Sequence, residues 1–433
     1  MRFFYSLLLH LAIPAILLRL WLRGENEPGY RKDIGERFGG AGVDNRPQVA
    51  SAGTHPLPAI WIHAVSVGEV RAAMPLVGKL RHAYPGHPVV ITCMTPTGRR
   101  TARDTFTSDV AVRYLPYDFG WAHRRFLVRW RPMMLIVMET EIWPNLLAAC
   151  ASRDVPTFLV NARLSEKSRA GYAKPLVRAI ARGALQRFAV ILAQSEADAI
   201  RLQSLGARVV SVTGNLKFDL AVDPTAIARG EQWRLTVGAR PVVLVASTRD
   251  NEETPLLEAY KSVFSDTAAY PRPLLVVVPR HPSRFDDVCA RIENAGLTVA
   301  RRTTSEPSPM MDAWLGDSMG EMQAYYAMSD VPIIGGSFQP LGGQNLIEAA
   351  ALGKAPIMGP STFNFAEAVR LAKEVDAMVQ VRDAKAAMQE AAALLADRAR
   401  REAMGARAKA FAAAHAGATE RTMAAIRAAL RHS

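Results

Sequence analysis

The chain has 433 residues, 49% of them hydrophobic and 21% charged, and carries a formal net charge of +13. It is too long for one ordinary core, and this composition excludes a disordered or fibrous protein, so two folded domains are expected. The positive excess attracts an anionic partner, but there is no zinc-finger spacing, RNP-like aromatic motif or Lys/Arg block, so nucleic acid suits it less well than a membrane surface or a phosphorylated small molecule.

Residues 3–22, FFYSLLLHLAIPAILLRLWL, are long enough to cross a bilayer as one helix, although His10, Pro14 and Arg19 interrupt the apolar run. No small-residue cleavage site follows, so an uncleaved anchor over residues 1–23 is expected. Arg23, Arg31, Lys32 and Arg37 lie beyond it against Arg2 ahead of it, which leaves the rest of the chain in the cytoplasm. A helix lying in one leaflet is the competing reading. Cys93, Cys150 and Cys289 show no C-x-x-C spacing, which fits a reducing location and gives neither a disulfide framework nor a structural zinc site.

Short apolar runs then alternate with helical stretches. The first series covers residues 59–66, 89–94, 111–117, 134–140, 157–163, 189–195 and 208–214; the second covers 242–248, 274–280, 297–302, 331–337, 355–360 and 377–382. This alternation predicts two doubly wound, Rossmann-like α/β domains with parallel sheets, over 24–220 and 221–433, the strand signal lapsing between Asp219 and Gly238. The Ala-rich tail from about Ala384 is read as packing helix in the second domain.

In such sheets ligands lie beyond the carboxyl ends of the strands, so the residues after each run are the candidates. Glu69 follows Gly68 at a strand-to-helix turn, where a carboxylate is placed to accept a proton from a bound hydroxyl. The plainer reading is a capping box with Ser66. Glu139 and Glu141 end the fourth run ahead of Trp143-Pro144-Asn145, as polarising groups or as caps of the next helix. Lys217, after Gly214-Asn215-Leu216, offers a cation to negative charge developing on a departing phosphate, or is an ordinary surface lysine.

In the second half, Pro279, Arg280 and His281 pair a strand-end guanidinium with a helix start, which suits an anion. The loop Gly316–Glu321, with Met319, Gly320 and Glu321, offers backbone atoms to a base or phosphate. Gly342-Gly343-Gln344 leads into Asn345, Leu346, Ile347 and Glu348, where close backbone approach and helix-start amides suit a nucleotide. Asn345 and Glu348 also have capping-box spacing. No D-x-D, G-x-G-x-x-G or Walker A pattern is present, so no metal clamp is expected and a monophosphate nucleotide donor fits best.

These tracts together, YRKDIGERFG, HAVSVGEV, TCMTPTG, YLPYDF, METEIWPNL, NARLSEKS, TGNLKFD, VPRHPSRF, GDSMGEM, GGSFQPLGGQNLIEAA and MGPSTFNF, resemble the bacterial 3-deoxy-D-manno-octulosonic acid (Kdo) transferases of lipopolysaccharide synthesis. The match runs from the N-terminal segment to about Phe365. The resemblance implies a GT-B enzyme that takes CMP-Kdo as donor and lipid IVA as acceptor, inverts the anomeric centre and works without a metal at the inner membrane. It implies Glu69 as general base and Glu139 and Lys217 as transition-state groups. It implies a CMP site at Pro279 with Arg280, at Met319, Gly320 and Glu321, and at Asn345 through Glu348. Gln344 and Leu346 stand where the family often has His and Pro, which withholds an acid or base role from position 344. The alternatives are a GT-B enzyme for another nucleotide sugar, a UDP-GlcNAc epimerase-like enzyme, and a catalytically dead nucleotide-binding scaffold.

Overall fold

The computed structural model describes residues 1–40, 57–106, 110–219, 222–265 and 272–431. The chain divides into two compact units, Met1–Asp219 with Ala416–Ser433, and Leu220–His415.

Seven strands build the first unit: β1 (Ala59–His63), β2 (Val89–Cys93), β3 (Val110–Tyr114), β4 (Pro132–Met138), β5 (Thr157–Ala162), β6 (Val190–Ala193) and β7 (Val210–Val212). They pair in the order β3-β2-β1-β4-β5-β6-β7, all parallel. Side chains alternate across a strand, so a strand covered on both faces must be apolar throughout. In β1, Ile60 and Ile62 join Val70 and Leu76 of helix Val67–Ala83 on one face. Trp61 packs with Phe126 and Leu147 on the other.

The strand order reverses between β1 and β4, and in doubly wound sheets ligands bind beyond the carboxyl ends of the strands at such a reversal. The β1 end leads to Glu69 and the β4 end to Glu139 and Glu141.

The second unit repeats the plan with β8 (Val242–Thr248), β9 (Leu274–Pro279), β10 (Val299–Arg301), β11 (Ala313–Leu315), β12 (Val331–Ile334), β13 (Ile357–Met358) and β14 (Val379–Gln380), in the order β10-β11-β9-β8-β12-β13-β14. Here the order reverses between β8 and β12. Helix Pro224–Val237 packs so closely on helix Met322–Met328 that a Cβ at Gly230 would overlap the Ala324 carbonyl, and Trp233 meets Trp314 and Tyr325 beside that contact.

Three expectations are corrected. Strand β11 has no counterpart among the expected runs, because its three residues follow the Pro-containing stretch 303–312 and offer too short an apolar pattern to read. The tail does not all belong with the second unit, since helix Ala418–Arg431 packs through Ala418, Met423 and Ile426 on the core of the first. The carboxylate of Asp219 accepts from the main-chain N–H groups of Gly417 at 2.5 Å, Ala418 at 3.2 Å and Thr419. These are donors that a helix start leaves unsatisfied. Arg421 Nε donates to the Thr213 carbonyl at 2.9 Å, and Lys79 pairs with Glu420.

The N-terminal segment, expected as one helix, is two, Arg2–Leu11 and Ile13–Asn26, bent by 53°. Pro14 lies in the first turn of the second helix, where its missing N–H breaks the ladder at the end of the first. Among the described residues no single helix is long and apolar enough to cross a membrane. Ser6 hydrogen-bonds Asn145, and His10 packs on Phe119 of the first unit. Phe3, Phe4, Leu7, Leu8, Leu11, Leu17, Leu18, Trp21 and Leu22 of the same pair are exposed.

Asp219→Ala removes one carboxylate that satisfies three helix-start amides, and should cost about 1–2 kcal/mol. Amide exchange would read this as lost protection over residues 418–431, with β8 and β9 of the second unit unaffected. Wild-type protection across that helix would contradict the capping role.

Candidate active site

Glu69 sits in the first turn of helix Val67–Ala83, buried, with Oε2 accepting from the Val65 N–H at 2.8 Å and Oε1 from the Ser66 hydroxyl at 3.0 Å. The expected capping box is therefore altered. The carboxylate reaches back past Ser66, and the Ser66 side chain accepts no helix amide. Burial pushes the Glu69 carboxyl up to about 8, with the charge of Glu139 adding to the rise, the Val65 and Ser66 hydrogen bonds opposing it, and Glu141 adding again.

Glu139 follows β4 with φ +57°, a left-handed conformation that side-chain-bearing residues rarely adopt. Its Oε1 lies 3.5 Å from Lys217 Nζ and its Oε2 lies 3.8 Å from Arg163 Nε. Burial also raises Glu141, against the pull of the Trp143 side chain and with the help of Glu139. Neither carboxylate caps helix Pro144–Ala151. Its first amides, Asn145 N–H and Leu146 N–H, donate to the Asp118 carboxylate at 3.0 and 2.8 Å, and Asp118 is itself held by His123 Nε2 at 3.0 Å. This choice lay outside local sequence, because Asp118 stands 27 residues before the amide it caps. The structure therefore brings Glu69, Glu139, Glu141 and Lys217 together and relieves Glu139 and Glu141 of capping.

Lys217 is carried on the 3-10 turn Leu216–Phe218, which Asn215 caps by accepting the Lys217 N–H at 3.0 Å. The turn follows Gly214 at φ +88° and ends at Asp219, the residue that caps the C-terminal helix.

In the second unit the expected nucleotide residues follow β9, β11 and β12. Pro279 is buried at the end of β9, and Arg280 follows it, its N–H donating to the Thr248 carbonyl at 2.9 Å. Burial lowers the neighbouring His281, and the charges of Arg249, Arg280 and Arg284 lower it further against the pull of Asp250, so this end of the sheet is cationic. Met319 and Gly320 are exposed. Glu321 is engaged by Arg229 at 2.6 Å, Arg302 at 3.2 Å and the Ser318 hydroxyl at 2.5 Å. Burial draws its carboxyl upward, but these partners overbalance that and hold it below the ordinary range.

Asn345 Oδ1 accepts from the Ile347 N–H at 3.0 Å and Asn345 Nδ2 donates to Glu348 Oε1 at 3.2 Å, a side-chain variant of the anticipated cap. Leu346 and Ile347 have buried side chains, so only their main chain is available to a ligand. Sequence reading missed Glu252, which is fully buried and accepts from Arg249 N–H at 2.8 Å, Gly336 N–H at 2.7 Å and Phe338 N–H at 2.9 Å. It ties together the loops on the two sides of the strand reversal. Among the described residues no cluster of three or more His, Cys, Asp or Glu side chains could hold a metal ion.

With this geometry in view, comparisons with known proteins are specific. A family model described as 3-deoxy-D-manno-octulosonic-acid transferase (kdotransferase) matches residues 32–220. The chain is 44% identical to the 3-deoxy-D-manno-octulosonic acid transferase of Bordetella pertussis over 98% of each chain. It is 36% identical to that of Haemophilus influenzae over 93% of each. A solved UDP-GlcNAc 2-epimerase from Neisseria meningitidis, bound to UDP-GlcNAc, superposes with a TM-score of 0.55 over 87% of this chain and 100% of that one, at 15% identity. That likeness speaks for the fold alone, and the two parallel α/β units are those of a GT-B protein.

The raised Glu69 carboxyl makes stability depend on pH. Its folded value lies above the unfolded one, so the fold favours the protonated form, and a penalty builds as pH climbs from 4.5 through about 8. Glu69→Gln cannot ionise and escapes this penalty. Denaturant unfolding should therefore show the variant gaining on the wild type between about pH 5 and about pH 9. A stability difference that stays constant over that range would show an ordinary carboxylate.

Proposed function

The chain belongs to the family of 3-deoxy-D-manno-octulosonic acid (Kdo) transferases, and we propose that it transfers Kdo from CMP-Kdo to the lipid A precursor lipid IVA, with Glu69 as general base. The observation that carries this reading is a buried Glu69, its carboxyl pushed up to about 8, beside the Glu139–Lys217 pair at the reversal of strand order. A base whose affinity for protons lies near working pH can take a proton and give it up again.

In the proposed reaction an acceptor hydroxyl oxygen attacks the anomeric carbon of Kdo from the face opposite CMP. The new C–O bond forms as the bond to the CMP phosphate breaks, the phosphate leaves with the electron pair, and the hydroxyl proton passes to the Glu69 carboxylate. The anomeric centre is inverted. Lys217, steadied by Glu139, offsets negative charge developing in the transition state. Arg280 and the loops at Met319–Glu321 and Asn345–Glu348 hold CMP, supported by the cationic end of the second sheet. No metal takes part.

The exposed apolar side chains of the bent N-terminal pair, with Arg23, Arg31 and Lys32 beyond them, support a place for the enzyme on the cytoplasmic face of the inner membrane, where the lipid acceptor lies. An epimerase-like reaction has only the shared fold in its favour.

Glu69→Gln should lower kcat by about 10²- to 10⁴-fold in a radiolabelled CMP-Kdo transfer assay, the usual contribution of a positioned base. CMP affinity in that variant should stay at wild type. Arg280→Ala and Glu348→Ala should instead weaken CMP binding about 10- to 150-fold in calorimetric titration, as expected for a lost charge-assisted contact. Wild-type turnover in Glu69→Gln would overturn the assignment of the base.

A further inference from the structure

Asn161 is the next-to-last residue of β5, at a bulge in its pairing with β6, is fully buried, and has φ +56°. Asparagine is among the few side-chain-bearing residues that accept this left-handed conformation at modest cost. Its Oδ1 accepts from the Leu216 N–H at 3.0 Å, and its main-chain carbonyl accepts from Gln194 Nε2 at 2.9 Å. Its Nδ2 is buried with no hydrogen-bond partner among the described residues. A left-handed backbone and an idle buried donor are both unfavourable, and such features persist where the surroundings over-determine them.

The Oδ1 bond joins two parts of the candidate site that the chain itself keeps 55 residues apart. On one side lies the paired end of β4 and β5, where Met138 is in register with Val160 and the Glu139 N–H donates to the Val160 carbonyl at 2.9 Å. Glu139 and Asn161 are thus neighbours on adjacent strand ends, both left-handed. On the other side lies the turn Leu216–Phe218, which carries Lys217. Without this bond the turn would still be capped by Asn215 and followed by Asp219, but the link from its first amide to the strand pair that carries Glu139 would be gone.

We propose that Asn161 is a positioning residue that fixes Lys217 against Glu139, through its hydrogen bond to the Leu216 amide. The proposal rests on the role given to Lys217 in the reaction above. An aspartate has the same shape and the same acceptor, but it would add a fourth carboxylate to the neighbourhood of Glu69, Glu139 and Glu141. The neutral amide makes the joint without that charge.

A double-mutant cycle on the full chain, with CMP-Kdo and lipid IVA as the probes, tests this. Asn161→Gly keeps the backbone conformation and removes the joint. It should lower kcat about 10- to 100-fold, the scale of a misplaced catalytic group, with the KM for CMP-Kdo near wild type. In a Lys217→Ala background the same change should lower kcat hardly further. Equal losses in both backgrounds would overturn the proposal, because Asn161 would then act independently of Lys217. Wild-type turnover in Asn161→Gly beside a slow Lys217→Ala would overturn the positioning role and leave the reaction as proposed. Wild-type turnover in Lys217→Ala would overturn both.

If Asn161→Gly does not fold, Asn161→Asp decides. It keeps the acceptor and tolerates the backbone, so turnover should return at a pH optimum displaced upward by the added negative charge. Turnover lost at every pH would overturn the proposal.

Discussion

Three carboxylates share one partly buried strand-end region, and they cannot all carry charge there freely. Glu69 comes from the β1 end and Glu139 and Glu141 from the β4 end, the two strands between which the order of the first sheet reverses. Burial alone raises Glu69, and the charge of Glu139 raises it further. Lys217 and Arg163 both approach Glu139, which separates the duties of the carboxylates: Glu139 is paired with cations, while Glu69 has its proton affinity raised. Asp118 takes over the cap that Glu139 and Glu141 stood next to, and Asp219 anchors the end of the Lys217 turn to a helix from the far end of the chain.

The costs of the arrangement are local and visible. Glu139 follows β4 in a left-handed conformation, and Asn161 in β5 and Ser247 in β8, at φ +58°, take it at bulges one residue before their strands end. In each unit one buried polar side chain then ties the neighbouring loops: the Asn161 amide in the first, and the Glu252 carboxylate with its three main-chain donors in the second. Burial raises the Glu252 carboxyl even though those donors pull it down, a sign of how far it is removed from water.

The sheets were legible in the sequence for a simple reason. A strand buried on both faces must be a nearly continuous apolar run, and runs such as AIWIH and LLVVVP have no competing reading at that length. The three residues of β11 were too few to give such a run. Site candidates were legible because ligands gather at strand ends, which picked out Glu69, Glu139 and Lys217 without reference to their partners. What stayed hidden was pairing at long range. No local pattern announces that Asp118 caps a helix 27 residues on, or that helix Ala418–Arg431 answers to Asp219 about 200 residues earlier. An amphipathic Ala-rich helix reveals that it packs, but not on which sheet. Pro14 was visible as an interruption, but not whether it kinks one helix or, as here, starts a second.

Burial beside Glu139 lifts the proton affinity of Glu69 into the range where a carboxylate can act as a base near working pH. Carbon-detected NMR titration of the Glu69 side-chain carboxyl, in the wild type and in Glu139→Gln, measures this without any substrate. The account predicts a midpoint of about 8 in the wild type and a lower one in the variant. An ordinary carboxylate midpoint near 4.5 in both proteins would contradict it.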